Sequence, residues 1–246
     1  MPNKYRLVRR RNFWLQLSPA DRSALTRAGS VRNVGTGEVV FSADDPFSIV
    51  SSGWVRLQVN TDAHQASIID VVGEGDLISA LHAYDPITPP WLGETGTMQG
   101  VMVRRGKILA VRRETVPEIL EKRPSIRDAI LRNVIDRYHL AMQFQAARAL
   151  DVNVRLAQLL LTVLHRFGER YAGENEGYTL APPLSQGDLA SWVAASPTSV
   201  ARVLRQWRND RIVQTGHALI RILDVKRLSI EAEGSNFSHR KPPVWG

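Results

Sequence analysis

The sequence predicts an α+β chain: a strand-rich N-terminal half, a long central helix, and a helical C-terminal part closed by a short hairpin. Three observations carry this. From Val31 to Val111 short β-like runs are divided by glycines, the spacing of an antiparallel sandwich or barrel. From Pro124 to about Leu150 apolar residues recur with helical period. From Leu184 to Ile222 two short helical patterns meet at a tight break and lead into two short strands.

Taken in order, the chain opens with a basic arm carrying Arg6, Arg9, Arg10 and Arg11. Residues 18 to 28, SPADRSALTRA, predict a capped helix. The strand runs are Glu38–Phe41, Ser48–Val50, Trp54–Val59, Ser67–Val72, Met98–Val103 and Ile108–Val111. Turns are expected at Gly35/Gly37, Gly53, Gly73/Gly75 and Gly106. The stretch His82 to Gly96, with Tyr84, Trp91 and three prolines, interrupts the strands and reads as a loop. The chain turns helical from about Arg112.

The long helix carries two apolar stripes, Ile126/Ile130/Val134/Ala141 and Leu131/Ile135/Tyr138/Met142/Ala149. A helix with two apolar faces needs two partners. A further helix is expected from Asp151, its N-cap, to Arg170, followed by a polar loop at residues 173 to 178. After Ile230 the sequence has no periodicity and is expected to be disordered.

The segment from Leu184 to Ile212 is the most informative. Its first helix, Ser185 to Val193, has Asp188 three residues after the capping serine, and Leu189, Trp192 and Val193 on one face. After Ala194 and Ala195 come Ser196, an N-cap, and Pro197 at the first helical position. The second helix runs to about Asn209 with Val200, Val203, Leu204 and Trp207 inward and Arg202, Arg205 and Arg208 recurring every three residues. A hairpin follows: Ile212–Val213, a turn at Thr215–Gly216, then Leu219–Ile222. Such an arrangement is found in ordinary helical cores, where an arginine row is a solvated face. From Ser196 to Arg227, however, seven Arg/Lys face two acids, a local charge suited to phosphates.

Composition narrows the function classes. The 246 residues carry a formal net charge of +8, which favours a polyanionic partner. With no cysteine, disulfides, thiolate zinc sites, cysteine nucleophiles and cysteine-ligated iron–sulfur clusters are excluded. No run of eighteen apolar residues is present and the basic start lacks an apolar core, so no membrane association and a cytoplasmic location are expected. The sequence has no HExxH, P-loop, G-x-S-x-G or nucleophile–base motif. Asp44–Asp45 and Glu74/Asp76 are acidic pairs in turns, so the chain is not expected to be an enzyme. No metal site is expected. A haem on His64 or His82 would require a lone histidine as ligand, a residue that is more often part of a surface or core.

Three stretches resemble the Crp/Fnr family of bacterial transcription regulators. Phe47 to Leu57, followed by Gly75–Asp76, is similar to the core of that family's cyclic-nucleotide-binding-type β-roll. Asp151 to Leu160, DVNVRLAQLL, resembles its helix between dimer helix and DNA-binding domain, and Leu184 to Val213 its helix-turn-helix. The resemblance implies an N-terminal antiparallel β-roll of double-stranded β-helix type, a long dimerisation helix and a C-terminal winged helix-turn-helix. The corresponding limits are a basic arm at 1–12, the sensor roll at 13–123, the dimerisation helix at 124–150, the DNA-binding domain at 151–230 and a tail at 231–246. It also implies a homodimer that regulates transcription from a palindromic operator, with half-sites about one helical turn (~34 Å) apart, and RNA polymerase as a candidate partner.

Carried onto this chain, the DNA-binding residues are Ser185, Gln186, Ser196, Pro197, Thr198, Ser199, Arg202 and Arg205. Arg202 is the expected guanine reader, and Gln186 and Arg205 are expected on phosphates. Many relatives have arginine and glutamate where this chain has Pro197 and Thr198, so its operator is expected to differ. Ala194 stands where a turn glycine is usual and is expected at positive φ. The expected dimer interface comprises Ile126, Ile130, Val134, Tyr138, Ala141 and Met142.

The sensor departs further from the family. Its candidate effector pocket is Gly75, Asp76, Leu77, Ser79, Glu94, Thr95 and Arg104. Glu94–Thr95 fall where a phosphate-holding arginine and serine would stand, and a carboxylate there repels phosphate. Cyclic AMP is therefore not expected; no cofactor is assigned, and any effector is of unknown identity. The competing function is a sensor responsive to a cyclic nucleotide or other small ligand and acting mainly through protein partners, with the arginine helix as a docking surface.

Overall fold

The computed structural model describes residues 12–41, 47–60, 66–78, 98–171, 177–216 and 218–234. The basic arm, His64, the insertion from His82 to Gly96, and the tail beyond residue 234 lie outside the described residues. The chain divides into two compact units between Met142 and Gln143.

In the N-terminal unit two helices, α1 (Phe13–Gln16) and α2 (Pro19–Ala28), precede β1 (Gly29–Val34), β2 (Val39–Phe41), β3 (Phe47–Asn60), β4 (Ala66–Val72) and β5 (Met98–Val111). The α2 start is as the sequence predicts: the Ser18 side chain accepts from the Asp21 N–H and Pro19 is the first helical residue. The strands form one antiparallel sheet in the order β1-β5-β3-β4, with β2 also on β5. The expected antiparallel β architecture is present. The first strand and the single turn of α1 lack the periodicity that would have announced them.

Two turn expectations are corrected. Gly53 and Gly106 do not end strands; they lie in mid-strand, so that four expected runs are two strands of 14 residues. Gly53 has φ +93° and a β-carbon on Gly106 would lie 2.3 Å from the Ser52 carbonyl oxygen. The β3–β5 register shifts there, between Val50 and Val55. The glycines therefore accommodate a bulge at which two long strands press together.

Alternation along these strands buries both faces. Ile49 and Leu109 point into a cluster with Phe13, Leu25, Phe47, Leu77, Val111 and Leu120. Their neighbours Val50 and Ile108 join Val34, Val40, Val55, Leu57, Val72, Ile78 and Met102 in a second cluster. One face of the sheet thus meets helices, including α3 (Val116–Lys122). The other face closes on residues of the sheet itself and on Ile78, beyond β4.

The long helix α4 (Pro124–Ala147) ends a turn earlier than the expected Leu150. Ile126 and Ile130 are fully buried in the first cluster with Ala129. They belong to the chain's own core, which corrects their assignment to a dimer interface. Arg137 of α4 donates to the carbonyls of Leu77 and Ile78 (3.2 Å to Ile78) and lies 3.8 Å from the Asp70 carboxylate.

The C-terminal unit contains α5 (Val152–Phe167), β6 (Gly168–Tyr171), β7 (Gly177–Leu180), α6 (Gln186–Trp192), α7 (Pro197–Asn209), β8 (Val213–Gly216), β9 (Leu219–Ile222) and α8 (Val225–Glu233). Here α5 stops at Phe167, because Gly168 to Tyr171 pair with β7 instead of extending the helix. The sheet order is β6-β7-β9-β8, so the expected hairpin is half of a four-stranded sheet. Thr215 and Gly216 are paired strand residues facing Ile220 and Leu219. The turn therefore lies beyond them, and Ala218 in it has φ +49°. Asp224 caps α8 by accepting from Arg227 N–H, and that helix extends past Ile230.

Candidate nucleic-acid interface

α6 and α7 form at the expected positions for local reasons. The Ser185 hydroxyl accepts from Asp188 N–H (3.1 Å), and the Asp188 carboxylate accepts from Ser185 N–H (2.9 Å). This is a complete capping box. α7 starts with Ser196 accepting from Ser199 N–H (3.1 Å) and Pro197 at its first position. Leu189, Trp192, Val193, Val200, Val203, Leu204 and Trp207 are all buried, as the periodicity predicts.

The break between the helices is a left-handed C-cap. Ala194 has φ +51°; Ala195 N–H bonds the Ala190 carbonyl (2.9 Å) and Ala194 N–H that of Ser191 (3.3 Å). This is the Schellman pattern, usually built on glycine. The end of α7 repeats it: Arg211 has φ +56°, Ile212 N–H reaches Trp207 and Arg211 N–H reaches Arg208. At each end an arginine from another helix bonds the last carbonyls. Arg155 of α5 donates to Val193 (2.6 Å) and Ala194 (3.3 Å). Arg227 of α8 donates to Asp210 (2.6 Å).

With its buried face fixed, α7 turns Thr198, Arg202, Arg205 and Asn209 outward at i, i+4, i+7 and i+11. All four are exposed, and among the described residues neither Arg202 nor Arg205 has an ion-pair or hydrogen-bond partner. Arg208, the third member of the arginine row, stands at the edge of this face and donates to the Thr215 hydroxyl on β8 (2.8 Å). It ties recognition helix to hairpin. Gln186 and Pro197 are exposed at the starts of their helices, while Ser185, Ser196 and Ser199 have hydroxyls engaged in caps. An exposed helix face carrying free guanidiniums beside a hydroxyl and an amide suits the major groove, where arginine pairs with guanine O6 and N7.

Arg155 and Arg227 were not singled out in the sequence. Their roles depend on contacts 38 and 17 residues away, which no local spacing encodes. Asn209 was read only as the helix end, although helical spacing from Arg202 could have placed it on the reading face.

Of the candidate effector pocket, Gly75, Asp76, Leu77 and Arg104 lie among the described residues. Gly75 (φ +79°) and Asp76 build a tight turn: the Asp76 carboxylate accepts from Gly73 N–H (3.1 Å), and Trp14 N–H bonds the Gly75 carbonyl (2.9 Å). Leu77 is fully buried in the helix-facing core, which corrects its placement as a pocket residue. Arg104 is exposed on β5 opposite Trp54. Ser79, Glu94 and Thr95 lie outside the described residues. Among the described residues no cluster of His, Asp and Glu is placed to hold a metal ion, and no helix is long and apolar enough to cross a membrane.

Residues 154–229 match the profile of the Crp-like helix-turn-helix domain. Over 217 residues the chain is 25% identical to the HTH-type transcriptional regulator Cmr of Mycobacterium tuberculosis (strain CDC 1551 / Oshkosh), covering 87% of this chain and 80% of that one. Its fold is similar to that of a CooA variant from Carboxydothermus hydrogenoformans, with a TM-score of 0.68 at 14% identity, over 85% of this chain and 90% of the other. It is also similar to the c-di-GMP-responsive global regulator CLP of Xanthomonas campestris, with a TM-score of 0.67 at 16% identity, over 84% and 100%. The helix-turn-helix geometry and the matched profile show that residues 154–229 form a Crp-like helix-turn-helix DNA-binding domain, and the chain as a whole is similar to transcription regulators of the Crp/Fnr type.

Proposed function

We propose that the chain acts as a homodimer on a two-fold-symmetric operator, with Arg202 reading guanine and Arg205 and Gln186 holding phosphates. The observation that carries this reading is the outward face of α7, with Arg202 and Arg205 exposed and unpartnered among the described residues. Two-fold symmetry is supported by an apolar stripe on α4 that the described residues leave open, Leu131, Ile135, Tyr138 and Met142, each 43% to 62% exposed. Val134 is half-buried and Ala141 exposed beside it.

Operator recognition is proposed to need no cyclic AMP, since the resemblance aligns Glu94–Thr95 with the family's phosphate-holding arginine and serine, and a carboxylate repels phosphate. The test is to enrich duplexes from a random pool with the full-length protein, without added ligand. The expected product is a palindrome with half-sites about one helical turn apart. Arg202→Ala should cost about 1–3 kcal/mol on that duplex and relax the preference at one base pair of each half-site. An unordered pool, or a pool ordered only when cyclic AMP is added, would refute the ligand-free reading. Unchanged base preference in the variant would refute the role of Arg202.

A further inference from the structure

The turn between α6 and α7 combines an unusual backbone with an unusual clamp. Ala194 occupies the left-handed region, φ +51°, which disfavours every residue with a β-carbon. The Schellman bonds satisfy the carbonyls of Ala190 and Ser191; those of Val193 and Ala194 lie beyond them at the helix end. Both accept from the same Nη1 of Arg155, at 2.6 and 3.3 Å. Its Nε is buried with no hydrogen-bond partner among the described residues, so the contacts of this head group there are those to the turn. A cation at a helix C-terminus also complements the helix dipole.

From this geometry we infer that Arg155 is a positioning residue for DNA reading: by clamping the strained Ala194 turn it fixes where Ser196 starts α7, and hence where Thr198 and Arg202 stand. The inference rests on the operator-reading function proposed above. Base-edge contacts tolerate displacements of only about 0.5 Å, whereas phosphate contacts, which supply affinity without sequence, survive small shifts. Loss of the clamp therefore degrades specificity before it degrades binding. Glycine at position 194 adopts the same φ without strain, so it relieves the need for the clamp.

The test uses full-length protein, the duplex enriched by the wild type, and a scrambled duplex of equal length. Arg155→Met is expected to lose about tenfold in affinity for the enriched duplex while its affinity for the scrambled one stays within about twofold. Arg155→Met combined with Ala194→Gly should recover most of that loss. Arg155→Lys, which keeps one cationic donor, should fall between and carries the same comparison if Arg155→Met does not fold. Wild-type affinity in the Arg155 variants would overturn the inference while leaving the proposed function standing. So would a parallel loss on both duplexes, or a double variant no better than the single one. If the wild type enriches no duplex, the proposed function fails, and this inference fails with it.

Discussion

Asp21 shows how much of the N-terminal unit depends on one side chain. It is buried, its side chain only 5% exposed, and it accepts from the Ser18 hydroxyl (2.7 Å), the Ser125 hydroxyl (2.8 Å) and the Arg123 guanidinium (3.0 Å). Burial pushes its pKa up, but the hydrogen bonds from Ser18, Ser125 and Arg123 outweigh it and hold the carboxyl below its ordinary value of 3.8. The carboxylate thereby joins α2 to the start of α4. Because its native pKa is depressed, the ion's contribution to stability is complete above the unfolded value and is lost as pH falls through the native one. Asp21→Asn should destabilise the chain by about 1–3 kcal/mol at neutral pH. In chemical denaturation followed against pH, the gap to wild type should narrow below about pH 4; a gap that stays constant down to pH 2 would refute the role of the charge. Half of this network was legible in the sequence. Ser18, Pro19 and Asp21 form a local cap that spacing announces, whereas Arg123 and Ser125 reach it across about a hundred residues.

At the scale of elements, two features turn on backbone that only glycine tolerates easily. The β3–β5 bulge is one. A β-carbon on Gly106 would meet the Ser52 carbonyl at 2.3 Å and the Gly53 α-carbon at 3.2 Å, backbone atoms that cannot swing aside. Gly106→Ala should therefore destabilise the N-terminal unit by about 1–3 kcal/mol, the usual penalty of forced overpacking; an unchanged denaturation midpoint would show that the strands can part there. The ends of α6 and α7 are the converse, with Ala194 and Arg211 where glycine would be unstrained. Arg211→Gly should raise the midpoint of the C-terminal unit, by up to about 1 kcal/mol, and a fall would mean the arginine contributes more through its side chain than its backbone conformation costs. These cases also mark what the sequence could reveal. Helices α2, α6 and α7 were legible to within a residue because their caps are local, and Ala194 at positive φ was implied by the resemblance, which puts a turn glycine there. The glycines at 53 and 106 were visible but misleading: a bulge and a turn use the same residue, and only strand pairing distinguishes them. The β6–β7 pair went unseen because four-residue strands beside a polar loop leave too little alternation to read.

At the scale of the whole molecule, the question is what covers α4. The sequence showed two apolar stripes but could not say which was inward, since a fully buried stripe and an intersubunit stripe have the same period. The fold separates them: Ile126 and Ile130 are fully buried, whereas Leu131, Ile135, Tyr138 and Met142 are exposed in a row. Such a row on one helix is self-complementary about a two-fold axis, where the same patch serves both protomers, and a recognition helix in each protomer would then face its own half-site. The proposed dimer can be broken without touching the core. Ile135→Asp places a charge in an exposed position, so the folded protomer should survive with its circular dichroism and melting curve near wild type. Across a desolvated interface it would set like charges face to face, each without a partner. Sedimentation velocity should show a monomer at concentrations where the wild type is a dimer. Affinity for the palindromic duplex should fall by at least a hundredfold, roughly the second half-site's share of the avidity, while affinity for a single half-site changes little. Ile130→Asp supplies the contrast: it buries a charge in the chain's own core and should lose the fold itself. An Ile135→Asp protein that remains dimeric and binds the palindrome like wild type would place the interface elsewhere and remove the α4 stripe from the proposal.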